Sequence, residues 1–299
     1  MKRRIVSILN RIISHTDWYN NQFWGGATKF WSANQFGLDV VNLGSGAGVR
    51  AFDYSGLPIK GCNWALGPQS LVHDFNILRN YFSYIKDGGY VIIVVCPFSC
   101  LESHYDKSHN FKYYTFLHPA TIINFDDNER TLALTIKNNP FRQMPSYCIK
   151  QILREIKTKS IASIRPSNRD LQKSAIGMMN CWKKQFGIDD LSTPITEKHL
   201  EELQGRKKTL INIIDFCKER SLKPVVVIPP MYHTLGSLFP DEFKKNYIDV
   251  FLQGVDASIY DYMKDLDMDK EEYYQNALFL NENGAKEFTK KVLRNIGII

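Results

Sequence analysis

The chemistry-bearing residues of this chain stand where short apolar runs give way to turns. Val40-Val41-Asn42-Leu43 ends in Gly44-Ser45-Gly46-Ala47-Gly48, where a serine in a flexible turn can project its hydroxyl beside converging backbone N–H groups. Alone, the turn is more commonly a plain tight turn. It lacks the third glycine of a dinucleotide fingerprint and the lysine of a phosphate loop. A second apolar run, Pro224 to Ile228, is followed by Pro229-Pro230-Met231-Tyr232-His233. There His233 reads either as a base or as a histidine packed in a loop. Cys96 and Cys100, with His104 and His109 behind them, have a spacing that matches no zinc module, so no metal is expected. Nothing calls for a cofactor.

The elements that must position these residues follow from hydrophobic periodicity. Val40–Leu43, Lys60–Ala65, Tyr90–Val95, Pro224–Ile228 and Ser258–Tyr262 read as parallel strands. Residues 69–86 predict a helix with Leu71, Phe75, Leu78, Phe82 and Ile85 on one face, ended by Gly88-Gly89 as a C-cap. Residues 282–295 predict the last helix, with Ala285, Phe288 and Val292 inward. Strands alternating with helices predict an α/β fold: a doubly wound five-stranded parallel sheet in the flavodoxin-like order 2-1-3-4-5. Ligands bind such sheets outside the carboxyl ends of the strands. The third connection, from Pro97 to Lys223, is far longer than a crossover needs. It predicts a large, mostly helical insertion over the carboxyl edge, with helices at 145–160, 170–186 and 196–220 and a hairpin at 113–136 turning at Asp126-Asp127-Asn128. The expected division is an N-terminal amphipathic, aromatic segment over 1–35, a core of 36–97 and 223–299, and an inserted subdomain over 98–222. Trp18, Trp24, Trp31 and Trp64 suit carbohydrate stacking, or an aromatic core.

Composition limits the partners. Lys plus Arg number 38 against 31 Asp plus Glu, a net charge of +7. Most basic residues are scattered, so a nucleic-acid partner is not expected. Apolar runs are too short to span a bilayer. Lys2-Arg3-Arg4 followed by Ile5, Ile8, Leu9 and Ile12 at helical spacing makes residues 1–13 an amphipathic helix that docks on the domain or touches a membrane surface. Cys62, Cys96, Cys100, Cys148, Cys181 and Cys217 follow no disulfide framework, which fits a cytoplasmic or membrane-peripheral location.

Three stretches together resemble the SGNH/GDSL-type hydrolase superfamily, in the branch of the D-alanine transfer protein and polysaccharide O-acetyl esterases. They are Val40 to Tyr54 with Gly44-Ser45 and Phe52-Asp53, then Gly61-Cys62-Asn63-Trp64-Ala65-Leu66 with Gln69-Ser70-Leu71, and finally Leu280-Asn281-Glu282-Asn283-Gly284-Ala285-Lys286-Glu287-Phe288-Thr289. The resemblance implies that Ser45 attacks an ester carbonyl. It also implies an oxyanion hole of the Ser45 and Gly61 backbone with the Asn63 amide. A turn-capping role for Asn63 stays open beside this. The family's Asp-x-x-His before Leu-Asn is replaced by Asn276-Ala277-Leu278-Phe279, so the base and its carboxylate are missing. His233 is the best substitute base; Asp261 or Asp265 would then orient it. His73, His104, His109 and His118 are weaker candidates. The resemblance implies an acyl-ester hydrolase or acyltransferase acting on a bacterial surface polysaccharide or its precursor. The alternatives are an inactive pseudo-enzyme binding a glycan or biosynthetic partner, and a glycan transferase. Either way, the expected partner is a carbohydrate or an acylated small molecule.

Overall fold

A computed structural model describes residues 2–101, 107–159 and 168–299. In chain order its main elements are α1 (Lys2–Ser14), β1 (Leu38–Leu43), α2 (Gly46–Ala51), β2 (Gly61–Asn63), α3 (Leu71–Tyr81) and β3 (Ile85–Val94). The long connection holds α4 (Asp127–Asn138), α5 (Pro140–Gln143), α6 (Pro145–Lys159), α7 (Asn168–Phe186) and α8 (Glu197–Lys218). Then come β4 (Lys223–Ile228), β5 (Ser258–Asp261) and α9 (Glu282–Asn295). The five strands form one all-parallel sheet in the order β2-β1-β3-β4-β5, the doubly wound arrangement expected.

The central strands are mostly apolar because both faces are covered, Asn42 of β1 being a buried polar exception. Val40, Ile92, Val94, Val225 and Val227 point to one face, where they share a core with Phe288 and Val292 of α9. Between them Val41, Val91, Ile93 and Val226 are fully buried on the other face. There α8 packs on α3 and β4, burying Leu210, Ile213, Ile214 and Cys217. Each such side chain contributes roughly 1.5–3 kcal/mol by leaving water.

The chain divides into two compact units. One is Met1–Asn34, Leu66–Pro68 and Tyr105–Ile164; the other, holding the sheet, is Gln35–Ala65, Gln69–His104 and Arg165–Ile299. The first segment ends at Asn34, one residue from the boundary expected at 35, whereas the sheet unit resumes at Arg165 rather than at 223. The reason is that α8 buries its apolar face on the sheet as an ordinary crossover helix, while 1–34 has a core of its own with part of the long connection. In that core Trp24 stacks on Phe111 at 5.3 Å and meets Trp31 edge-on at 5.1 Å. Trp18, Trp24 and Trp31 thus belong to this unit, whereas Trp64 is buried in the sheet unit.

Two local expectations are corrected. Gly88-Gly89 does not end a helix. α3 stops at Tyr81, and β3 already begins at Ile85, with an excursion through the glycines. Leu38 pairs with Ile85 but Val40 with Tyr90, so β3 carries three extra residues there. Gly88, at φ +73°, supplies the left-handed conformation the excursion needs. Residues 113–136 are not a hairpin. A 3-10 stretch covers Lys107–Thr115 and α4 begins at Asp127. Asp126 is its N-cap, accepting from the N–H of Asn128 at 2.8 Å and of Glu129 at 3.0 Å. Among the described residues no helix is long and apolar enough to cross a membrane.

Candidate functional site

Ser45 lies two residues beyond β1, at the carboxyl edge of the sheet, as the N-cap residue of α2. Gly44 before it has φ +133°, and a side chain on it would collide with Val94. Two residues of the next crossover hold this turn. The buried carboxylate of Asp74 accepts the N–H of Gly44 at 2.8 Å. Gln69 donates its side-chain amide to Gly44 O at 3.1 Å and to Asp74, and its backbone N–H to Ser45 Oγ at 3.1 Å. The half-buried serine hydroxyl is therefore held as an acceptor. Among the described residues no base receives its proton. Gln69 and Asp74 escaped the sequence reading as positioning groups, because their partners lie some 25 to 30 residues away.

The expected oxyanion donors are engaged elsewhere. Asn63 Nδ2 donates to the carbonyls of Gly48 at 3.0 Å, Val49 at 3.1 Å and Phe52 at 3.0 Å. Its Oδ1 accepts from Asn42 Nδ2 at 2.9 Å and from the N–H of Ala65 at 3.1 Å. The amide closes the carboxyl end of α2, satisfying carbonyls that a six-residue helix leaves over. This is the capping alternative. Gly61 pairs with Val40, three residues before the end of β1, hence about 10 Å short of the carboxyl edge at the usual strand rise. Its lack of a side chain answers to Tyr54, whose ring atoms would lie 2.4 Å from an added Cβ. Gly61→Ala should cost about 1–3 kcal/mol in urea unfolding, since the Tyr54 ring is buried and must shift. An unchanged midpoint would dismiss that contact.

The Asn276–Phe279 turn reaches both β1 and β4. A Cβ on Gly46 would meet Phe279 Cζ at 3.3 Å, so the phenyl ring lies against the residue following Ser45. Ala277 O accepts the N–H of Tyr232, just beyond β4, at 3.0 Å. Asn276 folds back on its own turn, its Oδ1 accepting from the N–H of Leu278 at 3.1 Å and of Phe279 at 2.8 Å.

His233 forms a pair of its own. Its Nδ1 lies 3.0 Å and 3.1 Å from the two carboxylate oxygens of Asp269, which also accepts the His233 N–H at 3.0 Å. With Nδ1 facing the carboxylate, Nε2 is the nitrogen left to accept a proton. Asp269, rather than Asp261 or Asp265, is the orienting group. Asp261 is taken by Lys244 at 2.6 Å, and Asp265 by Lys291 at 2.7 Å. The pair borders a cavity of about 280 Å³ lined also by Met231, Met263, Lys264 and Leu266. No hydrogen bond joins His233 to Ser45 among the described residues; the two stand over β4 and β1, with β3 between them.

The other candidates are accounted for locally. His73 Nδ1 bonds Ser70 Oγ at 2.9 Å, and His118 accepts the N–H of Ala120 at 3.3 Å. His104 and the side chain of His109 lie outside the described residues. Burial pushes the Cys96 and Cys100 thiols up to about 12, away from the thiolate a metal or an electrophile needs. Among the described residues no group of His, Cys, Asp or Glu is placed to hold a metal.

Fold and edge together define a doubly wound α/β protein with a serine turn beyond its first strand. Compared with protein-family models and with curated proteins, the sequence finds no match in either.

Proposed function

We propose that the chain is an SGNH-like pseudo-enzyme, which keeps the serine turn but binds an acylated carbohydrate or a biosynthetic partner without hydrolysing it. The observation that carries this reading is the Phe279 ring against Gly46, where the resemblance places the catalytic histidine. A phenyl group takes no proton, and an unassisted serine hydroxyl is a poor nucleophile. The Asn63 amide, spent on three carbonyls, adds to it. The carbohydrate class, and a place in bacterial surface-polysaccharide biosynthesis on the cytoplasmic side, rest on the resemblance of the Val40–Tyr54, Gly61–Leu71 and Leu280–Thr289 stretches.

The test is a fluorophosphonate probe on the whole chain, with calorimetry against O-acetylated oligosaccharides. No labelling of Ser45, together with oligosaccharide binding that Ser45→Trp weakens, is the expected result. Labelling at Ser45 overturns the reading. A second reading, an acyl-ester hydrolase or acyltransferase with His233 as base, is favoured by the His233–Asp269 pair. It requires labelling of the wild type that is lost in both Ser45→Ala and His233→Ala.

A further inference from the structure

α1 and α6 belong to the same unit and carry the same two-part surface. On α1, Ile5, Ile8 and Ile12 recur at i, i+3 and i+7, forming one stripe. All three are exposed, Ile8 by 60%, although Ile13 on a neighbouring face is fully buried. Arg4 and Arg11 flank the stripe. On α6, Ile149, Leu153 and Ile156 make a second stripe, with Leu153 63% and Ile156 62% exposed. Lys150, Arg154 and Lys157 each follow one residue later, about 100° round the helix, and lay a basic stripe beside the apolar one. Cys148 and Gln151 bury the opposite side of α6.

The helices are neighbours. Both pack on α5, the Trp18 ring meets Tyr147 edge-on at 5.2 Å, and Glu155 accepts the N–H of Asp17 at 3.1 Å and of Trp18 at 3.3 Å. Together they carry eight Lys or Arg and one carboxylate, Glu155, a net of +7. The whole chain also carries +7, so the remainder is balanced at 30 of each sign. All the excess charge thus sits on the two helices with uncovered apolar stripes.

We propose that this pair of helices docks on an anionic lipid bilayer, the stripes at the boundary of headgroups and acyl chains and the basic side chains against the headgroups. A second copy is disfavoured as occupant, because it would bring +7 against +7. The inference is independent of Ser45 and of the reading proposed for it.

The experiment is flotation of the full chain with vesicles of phosphatidylcholine alone or mixed with phosphatidylglycerol. The expected result is recovery with the phosphatidylglycerol vesicles, falling as salt screens the charges, and little with phosphatidylcholine. Lys150→Gln and Lys157→Gln should each lower partitioning about fivefold. Leu153→Ser/Ile156→Ser changes exposed side chains, and should lower it more than about tenfold without altering circular dichroism. Three results would overturn the proposal: equal recovery on the two vesicles or none, stripe variants that float as well as wild type, or a wild-type dimer that the stripe variant dissociates.

Discussion

The Asn276→Asp/Phe279→His double variant is expected to hydrolyse a small activated acetate ester on the order of 10²–10⁴-fold faster than wild type, the usual contribution of a positioned base. An imidazole in the Phe279 rotamer would lie beside Gly46, next to the serine. Aspartate at 276 keeps the acceptor that Leu278 and Phe279 N–H groups use at 3.1 and 2.8 Å, so the turn survives. Its second oxygen is then available to fix the tautomer and stabilise the imidazolium. Activity should rise with pH through the ordinary histidine range near ~6.5, because the base must be neutral. Desolvating the ring at this half-buried position should cost roughly 1–3 kcal/mol of stability, so folding is checked first. A folded variant with wild-type hydrolysis and no probe labelling at Ser45 would show that the turn is not a latent hydrolase.

Asn63→Asp is expected to be tolerated in acid and strongly destabilised at neutral pH. The amide now donates to three carbonyl oxygens, and a carboxylate placed there has no proton to give. Its folded-state pKa must rise above the unfolded value of about 3.9, since both burial and the facing oxygens oppose the charge. Stability is then retained below pH ~4 and lost as pH rises, with a cost of about 3 kcal/mol at pH 7. Asn63→Ala should lose roughly 2–3 kcal/mol at either pH, having no charge to titrate. Urea unfolding at pH 4 and pH 7 separates the two. Parallel curves for Asn63→Asp and wild type would mean that the amide is not the closure of α2.

Much of the sheet was legible because its central strands are buried on both faces and leave short apolar runs, while the exposed edge strand β5 showed as a short Ile-Tyr run. β4 was expected at 224–228 and spans Lys223–Ile228; β5 was expected at 258–262 and spans Ser258–Asp261. The amino end of β3 was not legible, since Gly88-Gly89 is the same signal whether it caps a helix or allows an excursion within a strand. Asp126 was ambiguous in the same way, an acceptor for either a turn or a helix start. The site was legible as far as local sequence reaches: Ser45 stands where the turn predicted it. What its neighbours do was not. Asp269 lies 36 residues from His233, and the Asn63 amide finds its acceptors 11 to 15 residues back along the chain. Such pairings are settled by which loops share a sheet edge, and no spacing within one segment encodes that.

The interleaving of the two units bears on how the chain is made. Residues 1–34 are synthesised before the sheet, yet the unit to which they belong extends to Ile164, some 130 residues later. At elongation rates of about 5–20 residues per second, that is a delay of roughly 7–26 s. Throughout it Ile13 of α1 and the Trp24 ring, both fully buried in the finished protein, await their partners. A nascent isoleucine-rich helix with a basic start is therefore presented to chaperones, or to a bilayer, well before the serine turn has a sheet to stand on. For the same reason, deleting residues 1–34 would not trim a tail. It would remove the first third of a folding unit, including the Trp24 ring that stacks on Phe111.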